Sequence, residues 1–186
     1  MNHSVYGTFA IGGDLVVDRL GFGAMRLARN GMGDDAARDP QTARAVLRRA
    51  AELGVDHIDT ADFYRIPDGT ARANDLIREA LFPYPAGLVI ATKVGPVFGP
   101  DGPTQGTAAD LPPAVEANLE ALGIDRLDLV YLRIGWRVPP AGESLSERFE
   151  VLAALRDEGL IRHLGLSDVD QAHLAEAQSI APVAAI

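Results

Sequence analysis

The amino-acid sequence predicts an α/β fold of the (β/α)8 TIM-barrel type, incomplete at about six of the eight strands and preceded by an N-terminal β-hairpin. First, short apolar runs alternate with amphipathic helical stretches from Leu20 onward, a pattern typical of a parallel sheet covered by helices. Second, no Gly-x-Gly-x-x-Gly turn leads into the first helix, which disfavours an open dinucleotide-binding sheet. Third, polar residues follow successive strands, as they do at the active-site face of a barrel: Asp59, Lys93, Arg133 and Ser167.

The individual elements follow from apolar periodicity and from breaker residues. A hairpin is expected at residues 8–17, because Gly12-Gly13-Asp14 is a turn sequence between two apolar runs. Strands are expected at residues 20–23, 55–59, 88–92, 127–132, 161–166 and 182–186. Helices are expected at residues 41–53, around 76–81, between 110 and 123, after a capping box at 144–147, and at 170–178. Residues 99–110 are predicted to form one long loop on the active rim, rich in glycine and proline.

Composition limits the classes of protein to which the chain can belong. Its 186 residues, 47% hydrophobic and 23% charged, suit one globular domain that spans residues 1–186. A formal charge of −9 disfavours nucleic acid or an anionic membrane as the partner. No apolar run is long enough to span a bilayer, and the first residues do not have the pattern of a secretory signal.

The chain contains no cysteine, which excludes disulfides, thiolate catalysis and thiolate metal sites. The four histidines are scattered and form no metal-binding motif, so no metal site is expected. Together with the composition, these observations predict a cytoplasmic protein.

An acid, a tyrosine and a lysine follow two successive predicted strands. Asp59 and Tyr64 come after the first of them, and Lys93 comes after the next. A phenol is a poor acid at neutral pH because its reference pKa is about 10, and a neighbouring ammonium group stabilises the phenolate. Tyr64 is therefore predicted to protonate a carbonyl oxygen, with Lys93 stabilising the developing charge and Asp59 holding the lysine. Hydride must then come from a cofactor, because no side chain supplies it.

Each of these residues also has a structural interpretation. Asp59 can cap the turn that follows its strand, Lys93 can form an ion pair that serves only stability, and Tyr64 can be an ordinary amphipathic loop residue. Taken singly, each residue favours that interpretation. Their joint placement after consecutive strands favours catalysis.

Four motifs in order make the chain resemble the aldo-keto reductases. They are Leu20-Gly-Phe-Gly-Ala-Met25, Asp59-Thr-Ala with Tyr64, Thr92-Lys93-Val, and Arg162-His-Leu-Gly-Leu-Ser167. The resemblance implies a (β/α)8 barrel that reduces a small aldehyde or ketone with NADPH, or alternatively NADH. It implies catalytic roles for Asp59, Tyr64 and Lys93. It also implies cofactor contacts from Gly23, Ala24, Met25, Ser167 and Asp168.

Two positions depart from the pattern of that family. Arg133 stands at the end of the fourth strand, where the family usually has histidine, and Asp168 stands where it usually has asparagine. Arginine is always charged and only donates hydrogen bonds, so Arg133 can orient a carbonyl group but cannot shuttle a proton. Alternatively, Arg133 pairs with Asp59 or with another carboxylate at the rim. Trp136 can form a wall of the substrate pocket or simply cover apolar surface.

The context of Tyr64 and Arg133 is similar to a bacterial subgroup of the family that includes pyridoxal reductases, so pyridoxal is a candidate substrate. The chain ends at Ile186, and by the resemblance it is expected to lack the C-terminal strands and the loops that hold the cofactor phosphates. Three hypotheses follow: part of a competent reductase, a non-catalytic product that binds a nicotinamide or a partner, or a defunct remnant. Open barrel edges would allow self-association.

Overall fold

The computed structural model describes residues 7–31, 34–66, 71–99, 102–135 and 142–186. Its strands are β1 (Thr8–Ile11), β2 (Leu15–Asp18), β3 (Phe22–Gly23), β4 (Arg29–Gly31), β5 (Asp34–Ala37), β6 (His57–Asp59), β7 (Val89–Val94), β8 (Pro96–Gly99), β9 (Gly102–Gln105), β10 (Leu127–Arg133) and β11 (Ile161–Ser167). Its α-helices are α1 (Pro40–Glu52), α2 (Ala73–Leu81), α3 (Leu111–Leu122), α4 (Ser146–Asp157) and α5 (Gln171–Ile180), with a 3₁₀ turn at Ala108–Asp110. None of the helices in these described ranges is long and apolar enough to cross a membrane.

Five strands form one parallel sheet in the order β3, β6, β7, β10, β11. The order of the strands in this sheet is their order along the chain, as in the successive strand–helix units of a barrel. The strand expected at residues 182–186 begins as a parallel bridge between Ala185 and Gly165 on β11. The Ala184 N–H donates to the Leu164 carbonyl at 2.8 Å, and the Leu166 N–H donates to the Ala185 carbonyl at 3.1 Å. The predicted strand–helix alternation is therefore present.

Helix ends follow local capping chemistry, and one predicted cap is wrong. Helix α4 begins at Ser146, so the expected capping box at residues 144–147 does not form. The side chain of Ser144 instead bonds to Glu176 on α5. A capping box is present at the start of α5, where the Asp170 carboxylate accepts from the His173 N–H at 2.9 Å. The hydroxyl groups of Ser144 and Ser146 are oriented toward α5 by their hydrogen bonds to Glu176, and the Ser144 oxygen accepts from the Ser146 N–H at 3.2 Å rather than from the Glu147 N–H that a capping box requires.

The stretch predicted as one long loop contains regular structure. Strands β8 and β9 pair as an antiparallel hairpin, and a 3₁₀ turn follows before α3. A sharp bend at Gly95 separates β7 from β8, with φ of 127°. A Cβ atom there would lie 2.3 Å from the Arg133 carbonyl oxygen, so the close approach of β10 requires glycine. A second unpredicted hairpin joins β4 and β5.

The N-terminal hairpin packs against one face of the parallel sheet. Ile11, Leu15 and Val17 form an apolar cluster with residues of β7, among them Val89, and of β10. Asp14, at the hairpin turn, accepts from Arg162 at 2.6 Å and pairs with the imidazole of His163 at 2.5 Å. The hairpin is therefore attached to the start of β11 by polar contacts as well as by apolar packing.

Candidate active site

Lys93 lies at the centre of the polar cluster where the parallel strands end. Its side chain is 9% exposed, and its Nζ contacts the Asp59 carboxylate. The same Nζ donates to the Thr60 carbonyl oxygen at 3.1 Å and lies 5.0 Å from the centroid of the Tyr64 ring. The structure thus brings together the predicted acid, tyrosine and lysine, with the ammonium group close to both the carboxylate and the phenol ring.

Local structure after β6 places Tyr64 in this cluster. The Tyr64 N–H donates to the Ala61 carbonyl at 3.0 Å, and the Tyr64 carbonyl accepts from the Ala73 N–H at the start of α2 at 2.9 Å. The Tyr64 ring meets the ring of Phe63 edge-on, with centroids 5.2 Å apart. Phe98, on the β8–β9 hairpin, stacks on Phe63 at 6.0 Å. Backbone hydrogen bonds therefore hold the main chain of Tyr64, and aromatic packing holds its ring.

A buried polar network lies behind the cluster. Thr92 precedes Lys93 in β7, so its side chain points to the opposite face of the sheet, where its hydroxyl donates to Asn118 Oδ1 at 2.6 Å. Asn74 Nδ2 donates to the same oxygen at 2.9 Å, and the Thr60 hydroxyl donates to Asn74 Oδ1 at 2.8 Å. The network links α2 and α3 to the residues next to Asp59 and Lys93. It therefore fixes the backbone from which both charged groups project.

Tyr131 is a second tyrosine close to Lys93, and it was not predicted. It is the register partner of Lys93 in the β7–β10 pair, and its ring centroid lies 5.8 Å from Nζ. Burial raises the pKa of the Tyr131 phenol to about 12, and the charge of Asp59 adds to this effect. The two-residue alternation along β10, which places Tyr131 on the same face as Arg133, is the signal that could have identified it.

Arg133 ends β10 and contacts the end of β11. Its Nη1 donates to Ser167 Oγ at 3.1 Å, and its Nη2 pairs with Asp168 Oδ2 at 3.2 Å. Asp168 is thus a rim carboxylate with which Arg133 pairs. Asp168 has a left-handed backbone with φ of 62°, a conformation that aspartate and asparagine tolerate better than most residues.

The three cofactor positions suggested around β3 differ in what they offer. Gly23 lies at the end of the edge strand, and a Cβ atom built there would meet nothing within 4 Å. Ala24 is fully buried, and its N–H donates to the Asp59 carbonyl at 2.8 Å. Met25 is 37% exposed. Open space beside Gly23 and polar groups at Ser167 fit a nicotinamide, whereas Ala24 serves to join β3 to β6. Trp136 lies outside the described residues.

Comparisons with known proteins bear on the family and the fold of the chain. The profile of the aldo/keto reductase family matches residues 19–186. The chain is 43% identical to pyridoxine 4-dehydrogenase of Escherichia coli K12 over 183 residues, which are 96% of this chain and 62% of that protein. It superposes on an aldo-keto reductase of Bacillus halodurans in its holo form with a TM-score of 0.78 and 28% identity, covering 96% of this chain and 55% of that one. For an aldo/keto reductase of Klebsiella pneumoniae in complex with NADP and acetate, the TM-score is 0.71, the identity is 26%, and the coverage is 95% and 55%.

The chain therefore spans between half and two thirds of the length of these relatives, at 62%, 55% and 55%. The matches confirm the predicted barrel-type fold, of which the described residues form a parallel sheet of five strands. The chain belongs to the aldo/keto reductase family.

Proposed function

We propose that the protein reduces an aldehyde or ketone to an alcohol with NADPH, or alternatively NADH, and that Tyr64 is the general acid. The observation that carries this proposal is the position of the Lys93 ammonium group, in contact with the Asp59 carboxylate and 5.0 Å from the Tyr64 ring centroid. A buried cation next to a phenol stabilises the phenolate that remains after proton donation.

Each of the three side chains has a different role in the reduction of the carbonyl group. The Tyr64 phenol donates a proton to the carbonyl oxygen as that oxygen gains negative charge. Lys93 stabilises the charge on the tyrosine, and Asp59 and the Thr60 carbonyl hold the ammonium group in place. When bound, the nicotinamide supplies the hydride that the carbonyl carbon receives. A hydride and a proton together convert the carbonyl to an alcohol.

Tyr131 is the competing acid, and two observations disfavour it. Its ring lies farther from the Lys93 ammonium, at 5.8 Å against 5.0 Å for Tyr64. Burial raises the pKa of the Tyr131 phenol to about 12, which makes it a weaker proton donor near neutral pH. We assign the proton transfer to Tyr64 for these reasons, and Tyr131 becomes the matched control.

Residues at the ends of β3 and β11 support the proposal that a nicotinamide cofactor binds here. The open space beside Gly23 would admit a planar ring close to the backbone, and Ser167 offers a hydroxyl group to a carboxamide. Met25 is exposed beside Gly23 and adds an apolar surface. The Klebsiella relative was solved in complex with NADP, and this supports NADPH for the present chain.

Pyridoxal is the substrate that we propose. The E. coli relative, at 43% identity, is a pyridoxine 4-dehydrogenase, so its name refers to the alcohol form of this aldehyde. Pyridoxal carries a phenolate oxygen next to its aldehyde, and a permanent cation such as Arg133 suits that oxygen. The Arg133 side chain is 20% exposed, so it is partly accessible at the rim.

The test combines a binding and a turnover measurement on the protein. NADPH fluorescence is titrated first, and NADPH oxidation is then followed at 340 nm with and without pyridoxal. The proposal predicts saturable binding and oxidation that depends on pyridoxal. Saturable binding without turnover would instead favour a protein that binds a nicotinamide without catalysis. A flat titration would contradict both.

A further inference from the structure

The side chains of Arg133 and Asp168 contact each other at the rim. Arg133 is the last residue of β10, and Asp168 follows the last residue of β11. The pairing of Arg133 with Ser167 in the sheet register places the two side chains at adjacent strand ends. Nη2 of Arg133 lies 3.2 Å from Oδ2 of Asp168, and Nη1 donates to the Ser167 hydroxyl at 3.1 Å.

The backbone around this ion pair is held on both sides. Gln105 Nε2 donates to the Arg133 carbonyl at 3.2 Å, and Gln105 Oε1 accepts from the Gly135 N–H at 3.1 Å. The Ile134 N–H donates to the Ser167 carbonyl at 3.1 Å. Because the strand ends are fixed, the direction of the guanidinium group depends on what its nitrogen atoms contact.

Burial makes the contact energetically significant. The side chains of Arg133 and Asp168 are 20% and 14% exposed, so solvent screens their attraction less than it screens a surface pair. Hydrogen bonds between charged groups are stronger than neutral ones. Because the guanidinium group is planar and rigid, a bond to one of its nitrogen atoms also fixes the direction of its other N–H groups.

We infer that Asp168 is a positioning residue, which acts through Arg133 rather than by binding the nicotinamide carboxamide itself. Its carboxylate holds the Arg133 guanidinium at the rim in the orientation that contacts an electron-rich oxygen of the substrate. Ser167 accepts from Arg133, which leaves its own O–H to donate to the cofactor. This inference rests on the proposed function and reassigns one of the expected cofactor contacts.

The first test replaces Asp168 with asparagine. Asparagine has nearly the same size and tolerates the left-handed backbone at this position, so Asp168→Asn removes the charge without backbone strain. We expect kcat/KM for pyridoxal at saturating NADPH to fall about three- to tenfold, in the range of a partly exposed charge-assisted hydrogen bond. The Kd for NADPH should stay within about twofold. Asp125→Asn, at an exposed position, controls for the loss of one negative charge.

A double mutant separates this role from direct cofactor binding. If Asp168 acts through Arg133, then Arg133→Gln with Asp168→Asn should lose no more kcat/KM than Arg133→Gln alone. A weaker Kd for NADPH in Asp168→Asn, with unchanged kcat/KM at saturating cofactor, would overturn the inference. Losses that multiply in the double mutant would overturn it as well.

Urea unfolding of the unmodified protein, the Asp168→Asn and Arg133→Gln variants and the double variant is a measurement that needs no turnover. The two single substitutions should couple by at least about threefold in the unfolding equilibrium constant, because each removes the same ion pair. Additive effects would contradict the contact. If the protein proves unable to reduce a carbonyl, the proposed function fails, and this cycle still decides whether Asp168 holds Arg133.

Discussion

The buried asparagine behind the active rim should be important for stability. Asn118 is fully buried in α3, and its side-chain oxygen accepts from Asn74 Nδ2 at 2.9 Å and from the Thr92 hydroxyl at 2.6 Å. Its amide nitrogen donates to the Ala114 carbonyl at 2.8 Å. Replacement with leucine keeps a similar volume but removes the partner of the Asn74 amide and of the Thr92 hydroxyl, whereas the Ala114 carbonyl keeps the helical hydrogen bond that it accepts from the backbone N–H of residue 118.

The cost can be worked out from these contacts. Each buried group left without a partner costs about 1–3 kcal/mol, and the added apolar burial of leucine offsets about 1–2 kcal/mol of the total. We therefore expect Asn118→Leu to lower the free energy of unfolding by about 3 kcal/mol. For a domain of this size, that loss corresponds to a fall in Tm of about 6–12 °C.

The assay is urea unfolding followed by circular dichroism at 222 nm, with thermal unfolding as a second measurement. Glu116→Leu, at an exposed position on the same helix, is the matched control for the change in helix propensity, and it should alter stability by less than about 0.5 kcal/mol. A loss below about 0.5 kcal/mol for Asn118→Leu would refute the reasoning. It would mean that the network behind Thr92 does not contribute to holding β7.

Three further predictions concern charge and access. Hydrogen bonds from Ser144 and Ser146 lower the pKa of Glu176 below its ordinary 4.5, so its stabilising contribution is present above that pH and is lost as pH falls through the lowered value. The stability gap between the protein and Glu176→Gln should therefore be full at pH 7 and close in acid, whereas a gap that persists at pH 2.5 in urea unfolding would contradict this. Lys93→Met should lower kcat for carbonyl reduction by at least about a hundredfold, which stopped-flow absorbance can measure, and a loss under about threefold would remove Lys93 from the mechanism. Gly23→Ala should leave Tm unchanged, because a Cβ atom meets nothing within 4 Å, but it should weaken NADPH binding in a fluorescence titration; unchanged binding would place the nicotinamide elsewhere.

The sequence predicted the parallel strands well because each is a short apolar run between breakers. Residues 127–132 were expected as a strand, and β10 spans Leu127–Arg133. The β8–β9 hairpin was missed because its glycine and proline content is typical of a loop. Phe98 on this hairpin also stacks on Phe63, a contact between residues distant in sequence that local patterns do not contain.

Part of the candidate site could also be predicted from the sequence, and part could not. Asp59, Tyr64 and Lys93 could be placed together from the sequence, because the ends of parallel strands meet at one edge. The partner of Arg133 could not be identified, since several rim carboxylates were within reach of a long side chain. Asp168 pairs with Arg133 and has a left-handed backbone, two features that only the three-dimensional structure shows.

The central claim is that Tyr64 donates the proton. The most direct measurement is single-turnover NADPH oxidation with pyridoxal, comparing Tyr64→Phe with Tyr131→Phe. We predict that Tyr64→Phe slows the chemical step by about 10²- to 10⁴-fold without changing NADPH affinity, while Tyr131→Phe stays within about tenfold of the unmodified protein. Equal rates in the unmodified protein and Tyr64→Phe, or the larger loss in Tyr131→Phe, would contradict the assignment.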